Sequence, residues 1–191
     1  MKRPHHAALG ILASLFLVLL IGLALVVGAA YEIKKHFFAP TPSYAPDTLY
    51  SLAVQQVQRG DYTVAEKYLQ QALQAQDDST YRNQLAVVEY RLRKYPEAID
   101  QYQLLVTKGG DKAFAYNGIG NAYRDWGPDH YADAETAYRQ AFQADSQYAA
   151  AYSNLTLLLV QEGKRDAALA IINQGIAATQ QPELTALKAN I

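Results

Sequence analysis

The chain has 191 residues, with 17 Lys+Arg against 18 Asp+Glu, so it offers no basic footprint for nucleic acid. Half of the residues are apolar, enough to bury one sizeable core. There is no cysteine, which excludes disulfides, thiolate metal sites and cysteine nucleophiles, while fifteen tyrosines ask for an explanation of their own.

A short polar tail, residues 1–6, carries Lys2 and Arg3. Ala7 to Ala30 follow as an unbroken run of 24 uncharged residues, 14 of them Leu, Ile, Val or Phe. As a helix this run spans roughly 36 Å, against about 30 Å of hydrocarbon. Residues 7–31 are therefore read as a single-pass transmembrane helix. The rival reading is a cleaved signal peptide ending at Gly28-Ala29-Ala30, but its apolar region would be about 7–15 residues long. Lys2 and Arg3 before the span balance Lys34 and Lys35 after it, so charge barely orients it. The terminal amine tips the count toward an inside N-terminus, with the main domain on the far side. Residues 32–46 read as a linker, because Pro40, Pro42 and Pro46 hold that stretch extended. Phe37, Phe38 and Tyr31 suit an aromatic belt at the membrane surface.

From residue 47 onward one spacing recurs. Tyr131, Ala134, Tyr138 and Ala141 alternate aromatic and small residues, and related patterns surround Ala65, Ala98 and Ala168. These alanines are 33, 36 and 34 residues apart. A period near 34 marks one helix-turn-helix per repeat. First helices carry a large residue followed by a mostly small one: Leu52-Ala53, Leu85-Ala86, Ile119-Gly120 and Leu155-Thr156. With these marks, residues 47–182 resemble the tetratricopeptide repeat family. Arg93 at a turn glycine, Leu105 at a small position and Thr156 are departures from its pattern.

The resemblance implies an all-α fold: a right-handed superhelix of four hairpins over about 47–78, 79–112, 113–148 and 149–182, closed by a capping helix over 182–190. Gly60, Gly127 and Gly163 are expected to end first helices, and Asp111 and Ser146 to cap the helices after them. Eight of the tyrosines fall at packing positions, so the excess is read as core and inter-repeat contact. Glu89, Asp125 and Glu135 are read as solvated. Trp126, in a turn two residues longer than the others, is read as folding back on its hairpin.

The resemblance also implies that first helices line a concave groove that binds protein or peptide segments. In this chain the groove residues would be Asn83, Val87, Tyr90 and Arg91, then Phe114, Asn117, Asn121, Arg124 and Asp125, then Ser153, Leu157 and Gln161. The strongest of these as partner-binding residues are Asn83, Tyr90, Arg91, Asn117, Asn121 and Arg124. Asn117, Asn121 and Arg124 share one helix face, and asparagine amides can bond an extended backbone. The family subtype that clamps a C-terminal carboxylate is not matched, because its positions hold Tyr50, Val54, Gln84, Phe114 and Gly118 here.

His5, His6, His36 and His130 form no convincing metal-ligand spacing, and no phosphate loop or nucleophile elbow is present. No cofactor, metal or catalytic residue is expected, and no enzymatic activity. The expected function is a membrane-anchored interaction scaffold that assists assembly or stability of a membrane protein complex. Its layout is similar to bacterial inner-membrane repeat factors that accompany translocon clients and to thylakoid factors that assist photosystem assembly. The alternatives are a self-associating homo-oligomer in an envelope machine, and a secreted repeat protein.

Overall fold

The computed structural model describes residues 44–191; the span over 7–31 and the linker as far as Ser43 lie outside them. Among the described residues no helix is long and apolar enough to cross a membrane.

The described chain is a row of antiparallel helical hairpins. The first pairs α1 (Pro46–Arg59) with α2 (Tyr62–Ala75), and the second pairs α3 (Ser79–Arg91) with α4 (Tyr95–Thr107). The third pairs α5 (Lys112–Trp126) with α6 (Tyr131–Ala144), and the fourth α7 (Ala149–Gln161) with α8 (Arg165–Thr179). A short α9 (Pro182–Lys188) closes the row by burying Leu184. Each helix packs on its chain neighbours, and first helices also touch each other, α3 on α5 and α5 on α7. A hairpin of two helices cannot bury its own apolar face, so the core forms only by stacking.

Local chemistry explains where the helices begin. Asp61 accepts a hydrogen bond from the Val64 amide at 3.2 Å, Asp78 from the Thr80 amide at 2.7 Å, and Asp111 from the Phe114 amide at 3.0 Å. Each occupies an N-cap and satisfies a donor that the first turn leaves open. Pro46 stands at the first turn of α1, where its missing N–H is not needed. Ser146 is not a cap. It lies in a turn that Asp145 organises by accepting from the Gln147 amide at 2.9 Å, and α7 opens three residues later at Ala149.

The hairpin turns reuse one closure. After α1, Gly60 takes φ +80° and the Asp61 amide donates to the Gln56 carbonyl at 2.9 Å. After α7, Gly163 takes φ +74° and the Lys164 amide donates to the Leu159 carbonyl at 2.8 Å. The second hairpin makes the same bond, Lys94 amide to Glu89 carbonyl at 2.9 Å, with Arg93 at φ +60°. A side chain in that region costs about 1 kcal/mol, which the array tolerates here. The third turn differs. Gly127 sits at φ +140°, outside the left-handed helical region, and a single 3-10 turn over Pro128–His130 absorbs the extra residues.

The core matches residue sizes across the hairpins. Ala65, Ala98, Ala134 and Ala168 are all completely buried, where helices cross closely. Tyrosines fill the space that small residues leave. A Cβ on Gly120 would meet the Tyr138 ring at 2.5 Å, and one on Gly118 would meet the Tyr102 ring at 2.5 Å. Tyr81, Tyr102, Tyr138 and Tyr152 are buried, and Phe142 stacks on Tyr152 with centroids 4.5 Å apart. The tyrosine excess is thus largely packing.

Glu89 departs from the solvated reading, and Glu66 is buried beside it. Glu89 is 3% exposed on α3, and one of its oxygens has no partner among the described residues. Burial, reinforced by the neighbouring Glu66 carboxylate, pushes Glu89 up to about 7. Glu66 is itself buried, and both of its oxygens accept from Lys94 Nζ at 2.7 Å. Periodicity within one helix does not find such residues, because Glu66 on α2 and Glu89 on α3 come together only through the packing of neighbouring helices.

Candidate functional site

The groove is built from the first helices of successive hairpins, so each site residue is placed by the pitch of the stack. Asn117 on α5 meets Asn154 on α7, and Tyr90 on α3 meets Asp125 on α5. Between α3 and α5 lies an open cleft of about 160 Å³. Val87, Tyr90 and Arg91 form one wall, and Phe114, Asn117 and Asn121 form the other. Its floor is Tyr102 from α4 and the bare backbone at Gly118, with Phe114 edge-on to Tyr102 at 6.0 Å.

Four of the six strongest candidates, Tyr90, Arg91, Asn117 and Asn121, therefore converge on this one cleft. Asn83 does not. It lines a neighbouring cleft with Ser79, Leu105, Asp111 and the far side of Phe114, and its Oδ1 is buried without a partner among the described residues. Arg124 stands beside the cleft, where its Nε donates to Asp125 Oδ1 at 2.8 Å. Farther along the groove, Leu157 and Val160 are exposed on α7. Gln161 turns away to bond the Tyr131 hydroxyl.

The asparagines are less free than a surface helix face implies. Asn117 is 8% exposed, and its Oδ1 accepts from Asn154 Nδ2 at 2.9 Å. Asn121 Oδ1 accepts from the Tyr138 hydroxyl at 2.8 Å. Both carbonyls thus serve the scaffold, and both amide nitrogens are left to donate. Replacing this pair by alanine would weaken the stack as well as the site, because Tyr138 and Asn154 would each lose a partner.

Electrostatics around the cleft are set by three arginines and one carboxylate. Burial alone would raise the Asp125 carboxyl. The hydrogen bonds from Arg124 and Tyr90 outweigh it and hold Asp125 below the usual range. Burial, and then the bond donated to Asp125, push the Tyr90 hydroxyl up to about 12. Arg93 adds a further positive charge near Asp125. Arg91 is exposed and makes no ion pair among the described residues. No group of three His, Asp or Glu among those residues could hold a metal.

Two cleft residues escape a reading by groove position, Tyr102 and Gly118. The available signal is glycine inside a helix. It costs about 1 kcal/mol against alanine, so it implies a close approach. Trp126 does fold back, stacking on His130 at 4.1 Å and lying parallel to Tyr123, yet it stays 43% exposed.

Two tetratricopeptide repeat family models match the chain, over residues 50–113 and 127–191. No curated protein matches it. Among solved structures, the chain is similar to MamA at 21% identity and a TM-score of 0.63, covering 83% of this chain and 87% of that one. It is also similar to TTC0263, a thermophilic repeat protein of Thermus thermophilus, at 23% identity and a TM-score of 0.59, covering 76% and 80%. A third similarity is to the Cut9–Hcn1 hetero-tetramer of the APC/C, at 22% identity and a TM-score of 0.60, over 77% of this chain but 30% of that one. At these identities the structural likeness concerns the fold. The two family matches carry the assignment: residues 50–113 and 127–191 are tetratricopeptide repeats, and the described chain is a superhelical array of them.

Proposed function

We propose that this chain is a membrane-tethered protein-interaction scaffold, non-enzymatic, which assists assembly or stability of a membrane protein complex. The observation that carries it is the cleft between α3 and α5, where groove positions from two successive repeats converge on one open site. Its side chains offer hydrogen bonds and apolar contact, and no nucleophile paired with a base. A scaffold needs that combination, since it must hold a segment and release it unchanged. The repeat fold favours protein partners, and a similar array in Cut9–Hcn1 belongs to a hetero-tetramer.

The membrane part of the proposal rests on Ala7 to Ala30, whose uncharged length exceeds the hydrocarbon thickness. A scaffold held at the bilayer meets partners as they insert, which raises their effective concentration.

Affinity capture from native membranes tests the proposal. The full chain is expected to stay with the membrane through high-salt and carbonate washes, and to co-purify membrane proteins. A chain released by those washes, with a mature N-terminus at Tyr31, would overturn the tether.

A further inference from the structure

The polar groups that line the cleft between α3 and α5 are rich in donors. The carbonyl oxygens of Asn117 and Asn121 already accept from Asn154 and Tyr138, while their NH2 groups have no partner among the described residues. Arg91 adds a guanidinium that nothing among the described residues neutralises, and guanidinium has no acceptor. The Tyr90 proton already goes to Asp125. Asp125 is not among the cleft's lining residues, and its charge is met by Arg124 and Arg93. A ligand that brings acceptors and negative charge complements this rim.

Beneath this rim the site is apolar. Val87, Phe114 and the Tyr102 ring surround a floor from which Gly118 withholds a side chain. The volume, about 160 Å³, is close to that of an engineered apolar cavity, roughly 150 Å³, that admits benzene. A phenyl group or a large aliphatic side chain fits such a space.

We infer that the cleft binds an extended peptide segment bearing a large apolar residue beside an internal aspartate or glutamate. The apolar side chain enters over Tyr102 and Gly118, and the carboxylate pairs with Arg91. Backbone carbonyls accept from Asn117 and Asn121. An internal carboxylate suits the site better than a chain terminus, because the groove continues past the cleft to exposed Leu157 and Val160, which a longer segment would cover. This inference rests on the scaffold reading and gives it a partner chemistry.

The test uses the full chain in detergent and capped peptides uncharged at both ends. The probe places phenylalanine before aspartate in a glycine–serine frame. Companions replace aspartate by asparagine or by lysine, replace phenylalanine by alanine, or end in a free carboxylate after phenylalanine. Binding is read by fluorescence anisotropy and by the side-chain amide resonances of Asn117 and Asn121. The phenylalanine–aspartate peptide should bind about tenfold tighter than each companion and shift both amide signals. Arg91→Glu, at an exposed position, should leave the circular dichroism unchanged and favour the lysine peptide over the aspartate one. Equal binding of the panel, an unchanged order in Arg91→Glu, or a preference for the free carboxylate would each overturn the inference. If native partners still cross-link to the groove while the panel shows no preference, the partner chemistry falls and the scaffold stands. If both fail, both fall.

Discussion

Two neighbouring regions of this array meet the same packing demand by different chemistry. In the third hairpin, α5 and α6 approach through Gly120 and the Tyr138 ring, an uncharged contact set by shape, to which the Tyr138 hydroxyl adds one bond to Asn121. At the junction of the first and second hairpins, buried Glu66 and Glu89 gather at the turn that Lys94 follows. One interface is fixed by volume and should be indifferent to pH. The other is fixed by charge and should not be. A repeat period constrains where helices meet, and leaves open whether size or charge fills the contact.

The largest effect should break the shape-matched side. Gly120→Val places atoms where the Tyr138 ring lies, and should cost about 3 kcal/mol or more, read as a fall in the thermal midpoint. A Gly120→Val protein as stable as the parent would mean that α5 and α6 are not packed this closely.

The next effect should sharpen the charged side. Glu89 titrates higher in the folded chain than when unfolded, so the folded state holds the extra proton. Its stabilising contribution is complete below the ordinary carboxyl value and is lost as pH rises through about 7. Between pH 5 and pH 8 the loss should be about 2 kcal/mol, and Glu89→Gln should remove that dependence and be the more stable protein at pH 8. Denaturant unfolding at several pH values checks this, and identical slopes for the two proteins would contradict it.

Lys94→Ala should cost less, about 1–2 kcal/mol. It strips Glu66 of its partner, but half-exposed Lys94 is screened by water. Measured beside Glu66→Gln and the double variant, the loss should be non-additive. The smallest effect should be a gain. Arg93→Gly relieves a side chain at φ +60° and should stabilise by up to about 1 kcal/mol.

The helical hairpins were legible because period and turn chemistry agree. Ala65, Ala98, Ala134 and Ala168 are buried where their spacing puts them. Arg93 stood out as the wrong residue at a turn glycine, and it is the residue with positive φ. The cleft was half legible. Helix position put Tyr90, Arg91, Asn117 and Asn121 on the groove side, and the stack brings them together. Spacing within one helix says nothing of what a neighbouring helix does to a side chain. Tyr138 and Asn154 take the asparagine carbonyls, and Glu89 is buried with Glu66 of the neighbouring helix beside it. Those contacts depend on how neighbouring helices are offset, which spacing within one helix does not carry. Ser146 failed as a cap for a related reason: Asp145, one residue earlier, is better placed to accept from the turn.

Partners are expected to meet the face formed by α3 and α5, and not the opposite face of the array. A photo-cross-linking residue at Val87 reports on the cleft. One at Gln140 reports on the separate depression that Tyr116, Ile119 and Tyr123 share with α6 on the other side of α5. In cells, cross-links to native membrane proteins are expected at Val87 and not at Gln140. Cross-links at Gln140 with none at Val87 would put the partner face on the other side of α5.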